Sequence, residues 1–499
     1  MKVNDFFLLS PEISLVVLAG IMVLLDLVVK RKGLLPAFSL TALVVSLVLT
    51  VVLWLDLDAN NNNALTGFFG SLVGDKFSLF FKFLILSAAA MVVLASTDYT
   101  RKFERFRAEY YALVLFSTAG MMLLASATEL ITIYLSLELT ALPMAALAAF
   151  LRDNRSTESA MKFLILSAIS SAVLLYGMVI VYGFTGSTSL DVIAARLADF
   201  SLSSGSPFGS QALLFGIVLM IAGFGFKISS VPFHMWAPDV YEGSPTPITA
   251  FLSVASKAAG FAVILRIFYI AFSQDILSVE WSITFAVLSA LSMTLGNLVA
   301  IRQNNIKRML GYSTIAQAGY IMVGLAAVAV RAPGSEASLG PTGVLFYLGG
   351  YAATNLAAFC VIIAISNRIN SDEIDDFAGM ARRAPVLAAV LALAMISLIG
   401  VPPTVGFWAK VYLFGAAINT DLVWLAVVGV INSVVSAYYY LRVVKVMYLN
   451  PPQAGETAVT SPLPIRVAIM TTFAATLFFG IYPTPLLNLA RSAAAALLS

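Results

Sequence analysis

The chain is dominated by apolar segments that are long enough to cross a lipid bilayer. Hydrophobic residues make up 60% of its 499 positions and charged residues only 11%, and the mean hydropathy is +0.94. A helix needs about 20 predominantly apolar residues to cross about 30 Å of hydrocarbon. We count about fourteen such segments. The sequence therefore predicts an all-α polytopic membrane protein embedded in the lipid bilayer, and nothing in it indicates a nucleic-acid surface.

Two of the predicted spans are too long for one straight helix. Spans seven and twelve each contain proline, which removes a backbone donor and clashes with the preceding turn, so both are predicted to be broken helices. The fourteen spans have approximate limits at 12–29, 34–55, 77–96, 108–126, 128–150, 158–183, 211–241, 247–272, 281–300, 306–329, 342–367, 385–419, 422–447 and 464–489.

Basic residues are concentrated in the loops that follow odd-numbered spans. By the positive-inside rule these loops face the cytoplasm and both termini face outside. The cytoplasmic group is Lys30, Arg31, Lys32, Arg101, Lys102, Arg105, Arg107, Arg152, Arg155, Arg302, Lys307, Arg308, Arg368, Arg382, Arg383, Arg442, Lys445 and Arg466. The opposite side has only Lys2, Lys76, Arg196, Arg331 and Arg491.

The remaining basic residues fall inside the spans. Lys82 and Arg266 lie within about two turns of the outer ends of their helices, which predicts that both snorkel to the interface. A charge near the bilayer centre costs at least about 2.5–3.5 kcal/mol, and such residues usually serve an ion path, a proton relay or a structural pair. The function is therefore expected at the other intramembrane charges, namely Lys162, Lys227, Lys257, Lys410 and Glu138.

Position along the helices separates these five residues. At about 1.5 Å of rise per residue, Glu138 and Lys257 fall near the bilayer midplane. Lys227 precedes the break in span seven, and Lys410 follows the break in span twelve. Lys162 is only about a turn from the cytoplasmic end of span six, so an interfacial snorkel explains it as well as a functional role.

The two broken spans carry similar sequence. VPFHMWAPDVYEG (231–243) and GVPPTVGFWAKVYLFG (400–415) both contain Val-Pro, then Trp-Ala, then Val-Tyr. This indicates an internal repeat in which spans 4–8 and 9–13 have inverted topology, with broken helices meeting near the midplane. The predicted division is residues 1–107 for helices one to three, 108–272 and 273–449 for the two repeats, and 450–499 for the C-terminal helix.

The side chains near the breaks favour proton chemistry. Burial disfavours a lysine's charged form and a nearby carboxylate restores it, so a Glu138–Lys227 pair could hold or release a proton as it forms or opens. His234, the single histidine, is either a structural hydrogen-bonding group or a proton relay. With one cysteine, Cys360, no cysteine-based metal site or cluster is expected. No nucleotide-binding or metal-ligand motif is present, so the energy must come from a gradient or a partner.

Several motifs resemble one family. FHMWAPDVYEGSPTPITAFLSVASK (233–257), ELTALPM (138–144), NIKRMLGYSTIAQAGY (305–320), DFAGMARRAP (376–385) and GVPPTVGFWAK (400–410) are similar to the antiporter-like membrane subunit N of proton-translocating NADH:quinone oxidoreductase, respiratory complex I. The resemblance extends over essentially the whole chain. Multisubunit cation/proton antiporters share the broken-helix plan.

The resemblance implies roles for the intramembrane charges. Glu138 would tune Lys227, the central proton carrier; Lys257 would link the two half-channels, and Lys410 would serve the second one. Lys162 matches a lysine that partners the glutamate. Gln317 stands where some relatives have histidine, which places a proton step there in doubt.

The predicted function is therefore that of a proton-translocating membrane-arm subunit of NADH:quinone oxidoreductase. It would move protons through a chain of buried lysine and glutamate residues, driven by quinone reduction in other subunits. By resemblance, it would lie in the inner membrane of a bacterium with other membrane-arm subunits as partners. The chain itself would hold no cofactor, while NADH, FMN, iron–sulfur clusters and quinone would bind to those partners. The alternatives are a subunit of a cation/proton antiporter, the equivalent subunit of a ferredoxin- or deazaflavin-linked complex, or a membrane-arm spacer without conduction.

Overall fold

The protein is a bundle of helices. The computed structural model describes residues 3–28, 32–59, 64–103, 106–203, 207–328, 338–451 and 460–498. Helix is almost the only regular structure in these ranges, and the exception is a short hairpin of β1 (Leu65–Gly67) and β2 (Leu72–Gly74). The predicted all-α membrane class is confirmed. Five residues used for the predicted orientation lie outside the described residues: Lys2, Lys30, Arg31, Arg105 and Arg331.

The first part of the chain forms an up-and-down series in which neighbouring helices pack in order. Its helices are α1 (Val3–Leu8), α2 (Ser10–Val28), α3 (Leu35–Ala59), α4 (Lys76–Tyr99), α5 (Arg107–Ser126), α6 (Leu130–Ala148) and α7 (Asn154–Thr185).

The middle of the chain contains the most deeply buried segment. Its helices are α8 (Leu190–Ser203), α9 (Pro207–Ile228), α10 (Trp236–Gly243), α11 (Thr246–Phe251), α12 (Lys257–Arg266), α13 (Asp275–Ala300) and α14 (Ile306–Ala326). The eighth predicted span was expected to be one helix, but π-helical turns at Leu252–Ser256 and Ile267–Ala271 interrupt it. All of its apolar core is buried, so it forms the centre of the bundle.

The last part wraps around a long central helix. Its helices are α15 (Leu339–Ile369), α16 (Met380–Arg383), α17 (Pro385–Ile399), α18 (Val405–Asn419), α19 (Val423–Leu449), α20 (Leu463–Ile481) and α21 (Thr484–Leu498). Helix α15 packs against α14, α17, α18, α20 and α21. It also packs against α11 and α4, so α15 joins the two ends of the chain to the centre.

Twelve helices in the described ranges are long and apolar enough to cross a membrane. Each of them falls at one of the predicted spans. Two predicted spans have no such helix: the tenth, which forms α14, and the twelfth, which is divided into α17 and α18. The total of fourteen spans, the inverted repeat and the four-part division of the chain stay predictions.

Both proline breaks occur where the sequence predicts them. Helix α9 ends at Ile228 and the chain resumes as α10 at Trp236, while α17 ends at Ile399 and α18 begins at Val405. The single helix predicted for 464–489 is wrong. Pro483 follows the end of α20, and because proline cannot continue the hydrogen-bonding pattern, a separate helix α21 starts at Thr484.

Lys82 and Arg266 do not snorkel to the interface. Lys82 is fully buried and its Nζ lies 2.7 Å from the Glu12 carboxylate, which is also buried. Arg266 donates from two nitrogens to the Asp75 carboxylate, each at 3.0 Å, and to the Ala125 carbonyl oxygen. The prediction considered each basic residue alone, whereas both charges are compensated by acids on other helices.

Removal of only one member of the Glu12–Lys82 pair should impair assembly. We expect Lys82→Ala to destabilise the chain by about 3–5 kcal/mol because it leaves a buried carboxylate uncompensated. Glu12→Leu combined with Lys82→Met should recover most of this loss. The measurement is the yield and thermal stability of the assembled complex. Arg101→Ala is the control, because the Arg101–Asp98 pair is largely exposed and such pairs contribute about 0–1 kcal/mol. Equal stability of Lys82→Ala and Arg101→Ala would contradict the assignment.

The orientation predicted from the loop charges can be tested by chemical labelling. In a Cys360→Ala background, Arg302→Cys should react with a membrane-impermeant maleimide only from the cytoplasmic side, and Arg491→Cys only from outside. Both positions are exposed. Comparison of right-side-out and inverted vesicles gives the result, and the reverse pattern would invert the predicted topology.

Candidate functional site

The break between α9 and α10 places Lys227 one residue before the end of a helix. Two backbone groups at this break have hydrogen-bond partners. The Phe226 carbonyl oxygen accepts from the Trp236 indole at 2.9 Å, and the Val231 amide donates to the Ser292 hydroxyl at 2.9 Å. In the described part of the chain, the Lys227 ammonium has no hydrogen bond or ion pair. Lys227 is therefore available for other contacts.

Lys227 lines a small cleft, and Glu138 lies beside it through its hydrogen bond with Ser171. Glu138, in the middle of α6, accepts a hydrogen bond of 2.5 Å from the Ser171 hydroxyl. Ser171 and Lys227 line a cavity of about 20 Å³ together with Ser167 and Ser170, which is enough for one water molecule. The two ionisable groups are thus neighbours that do not form a closed ion pair in this conformation.

The sequence analysis missed the serines of α7. Ser167, Ser170 and Ser171 recur at positions i, i+3 and i+4, so they share one face of the helix. Three small hydroxyl residues on one stripe of an otherwise apolar span are the signal that could have identified this cleft.

Lys257 lies at the centre of the bundle. It follows the π-helical turn at Leu252–Ser256, is only 2% exposed, and donates from Nζ to the Thr314 carbonyl oxygen at 2.6 Å. Single π-turns inside helices occur frequently at functional sites. The aliphatic part of Lys227 packs against Gly260, where a Cβ atom would lie 3.2 Å from Lys227 Cγ. Lys227 is therefore in contact with the helix that carries Lys257, about one turn further along.

A polar face of α14 leads from Lys257 towards Lys410. Ser313, Thr314, Gln317 and Tyr320 fall on this face at helical spacing. The Thr314 hydroxyl is bonded to the Tyr351 hydroxyl at 2.9 Å.

Gln317 occupies the middle of this face. Its side-chain oxygen accepts a hydrogen bond from the Tyr347 hydroxyl, and its nitrogen donates to the Tyr440 hydroxyl and the Leu398 carbonyl oxygen. Tyr440 is also bonded to Ser313. The sequence analysis did not identify these tyrosines, because their spacing in the chain gives no sign that they converge.

Lys410 donates hydrogen bonds to carbonyl oxygens at the interrupted end of α17. Its Nζ donates to the Ile399 carbonyl oxygen at 2.7 Å, to the Leu398 carbonyl oxygen at 3.3 Å and to the Ser433 hydroxyl at 3.0 Å. It also lies 4.3 Å from the centre of the Tyr320 ring. The ammonium group therefore occupies the negative end of a half-helix, where cations are favoured.

Lys162 belongs to a different cluster on the cytoplasmic side of the predicted topology. Its ammonium pairs with Glu158 at 2.7 Å and with Asp239 at 2.8 Å, and its side chain is 42% exposed. Arg308 pairs with Asp239 and Glu242, each at 2.7 Å. The carboxylates that Lys162 contacts are thus Glu158 and Asp239, and Glu138 is instead bonded to Ser171.

His234 lies half-buried in the turn between α9 and α10. In the described part of the chain no hydrogen bond joins its ring to Lys227 or Glu138. No group of three or more His, Cys, Asp or Glu residues in the searched ranges could hold a metal ion. The structure thus brings Glu138 close to Lys227 and places Lys257 and Lys410 against the same helix, α14. Lys162 and His234 stand outside these contacts.

Removal of the Lys410 ammonium should destabilise the second break. Lys410→Met would leave the Ile399 carbonyl oxygen without its side-chain donor, and an unsatisfied group of this kind costs about 1–3 kcal/mol. The Leu398 carbonyl oxygen would keep the Gln317 amide as a donor. Ser433→Ala removes only one partner of the ammonium and should cost about 0.5–1.5 kcal/mol. The thermal stability of the assembled complex measures both changes. A Lys410→Met complex as stable as the unmodified one would show that the lysine does not support the end of α17.

Comparison with known proteins gives the family. Residues 127–436 match the family described as "NADH:quinone oxidoreductase/Mrp antiporter, TM". The chain is 46% identical to NADH-quinone oxidoreductase subunit N of Dehalococcoides mccartyi, over 97% of this chain and 98% of the relative.

Solved structures agree with this match. A chain of respiratory complex I from Thermus thermophilus superposes with a TM-score of 0.78 at 30% identity, covering 96% of this chain and 98% of that one. A chain of the Mrp complex from a Dietzia species has the same fold, with a TM-score of 0.85 at 21% identity and coverage of 100% and 98%. The chain belongs to the family of NADH-quinone oxidoreductase subunit N.

Proposed function

We propose that this chain is a proton-translocating membrane-arm subunit of a quinone-reducing respiratory complex. The single observation that carries the proposal is the polar connection through α14. At one end of a run of hydroxyl and amide side chains on this helix, the Lys257 ammonium bonds to the Thr314 carbonyl oxygen. At the other end, the Lys410 ammonium lies 4.3 Å from the centre of the Tyr320 ring. The family names of the relatives support the assignment to such a complex.

The Glu138–Lys227 cleft is the proposed switch. A carboxylate favours the ammonium form of a neighbouring lysine, and withdrawal into apolar surroundings favours the neutral amine. Ser171 holds Glu138 at the cleft, and the Lys227 ammonium is free of other partners in the described ranges. A small movement of Lys227 towards or away from Glu138 would therefore load or release a proton.

The proton would then pass from Lys227 to Lys257 and along α14 to Lys410. Hydroxyl groups of Tyr351 and Tyr440 and the amide of Gln317 line this route, and water molecules can bridge polar groups that do not touch. Gln317 itself does not exchange protons readily, so it orients the tyrosines while hydroxyls and water carry the proton.

The energy would come from redox chemistry in partner subunits. NADH, FMN, iron–sulfur clusters and quinone are proposed to bind there. Large apolar side chains remain exposed along α7, including Leu164, Ile165 and Ile169, as expected of a surface that meets lipid or neighbouring membrane-arm subunits.

Lys227→Ala and Glu138→Ala should each give an assembled complex with impaired pumping. We expect proton uptake per NADH oxidised to fall at least about tenfold, since both changes remove a proton-transfer group. Inverted membrane vesicles report proton pumping and quinone reduction together, and immunoblotting verifies assembly. Lys445→Ala, the same change at an exposed position, is the control.

Two outcomes would overturn the proposal. Intact NADH-linked quinone reduction and pumping in Lys227→Ala, with loss of Na⁺ tolerance, would identify a cation/proton antiporter. Normal pumping in both variants of an assembled complex would identify a spacer without conduction.

A further inference from the structure

A long apolar groove runs between the N-terminal and C-terminal helices. Helices α3, α4, α15, α20 and α21 line it, and its cavity volume is about 730 Å³. Its walls are almost entirely hydrocarbon, with Ser87, Thr471 and Thr472 as the polar exceptions. Four of the five helices are apolar enough to cross the membrane, so the groove lies within the bilayer and its occupant is apolar.

The shape of the groove fits an acyl chain. Along α3 it extends from Leu40 to Trp54, a length of about 21 Å at the helical rise. This exceeds the roughly 15 Å of hydrocarbon in one leaflet. The groove is therefore long enough to take the tail of a lipid.

One end of the groove has the features of a membrane interface. Trp54 lines it, and the Lys76 ammonium lies 5.3 Å from the centre of the Trp54 ring and 2.8 Å from the Asp58 carboxylate. Tryptophan and lysine are the residues that anchor helices at the headgroup level. The Lys76–Asp58 pair is partly exposed, so its charges can contact a phosphate and a headgroup amine.

Helix α15 separates the groove from the proposed proton path. Its residues Gly349, Ala352 and Leu356 face the groove. From the same helix, Tyr347 and Tyr351 bond to Gln317 and Thr314. A molecule bound in the groove therefore packs against the same helix that presents Tyr347 and Tyr351 to the proposed proton path.

We propose that this groove binds an acyl chain of a membrane phospholipid, with the headgroup at the Trp54–Lys76 end. The bound chain supplies the packing that α3, α4 and α20 leave open around α15. The proposal is independent of the direction and the coupling of proton movement.

The test uses the assembled complex in native membranes and a phosphatidylethanolamine probe with a diazirine in one acyl chain. After irradiation and digestion, the labelled peptides are identified by mass spectrometry. Labelling is expected on the peptides that contain Leu47 of α3 and Phe83 of α4, which both line the groove.

Two variants separate groove binding from ordinary contact with bulk lipid. Ala475→Phe places a ring in the groove, whereas Ala474→Phe makes the same change at an exposed neighbour outside it. Labelling of the groove peptides should fall at least about fivefold in Ala475→Phe, because the ring takes the space that the acyl chain needs. It should be unchanged in Ala474→Phe, and assembly of both complexes is verified by native electrophoresis.

Three results would overturn the proposal. The first is absence of labelling in the unmodified complex. The second is an equal decrease in both variants. The third is a photo-cross-link between groove residues and a neighbouring subunit, obtained with a photoreactive amino acid at Leu47, because it would show that a protein segment fills the groove.

Discussion

The structure depends on the rule that polar groups inside a bilayer must be satisfied by the protein itself. The break after Ile399 exposes carbonyl oxygens at the end of α17, and the Lys410 ammonium bonds to two of them. One interaction thus offsets the cost of the broken helix and of the buried charge together. The lysine that supports this break is also the one that we propose to exchange protons, so the proposed conduction and the stability of the break would share one side chain.

The buried ion pairs on α4 follow the same rule. Asp75 caps the start of α4 and lies about two turns before Lys82. Asp75 bonds to Arg266 of the central segment, and Lys82 bonds to Glu12 of α2. Each charge costs several kcal/mol to bury alone, and the pairing removes most of that cost. The Asp75–Arg266 contact attaches the start of α4 to the helix that carries Lys257, and the Glu12–Lys82 contact attaches α2 to α4.

Much of the fold could be predicted because long apolar segments and prolines act locally. The two breaks occur at Val-Pro sequences. The position of a charge inside an apolar span selected Glu138, Lys227, Lys257 and Lys410, and the family motifs implied the roles that we propose for them. The ion pairs of Lys82 and Arg266 could not be predicted, since their partners are distant in sequence. The same holds for Tyr347, Tyr351 and Tyr440, which meet α14 from two other helices. The π-turn before Lys257 leaves no pattern in an apolar span, because it changes the backbone and not the composition.

Helix α14 differs from the other long helices because charges and hydroxyls replace part of its apolar surface. It is absent from the helices that qualify as spans by composition, yet it is buried along its length between α13, α15 and α10. A polar helix is tolerated inside a membrane when protein surrounds it on all sides. The lipid-facing helices of this chain therefore serve to isolate α14, and the apolar character of the whole sequence is a condition for the polar route at its centre.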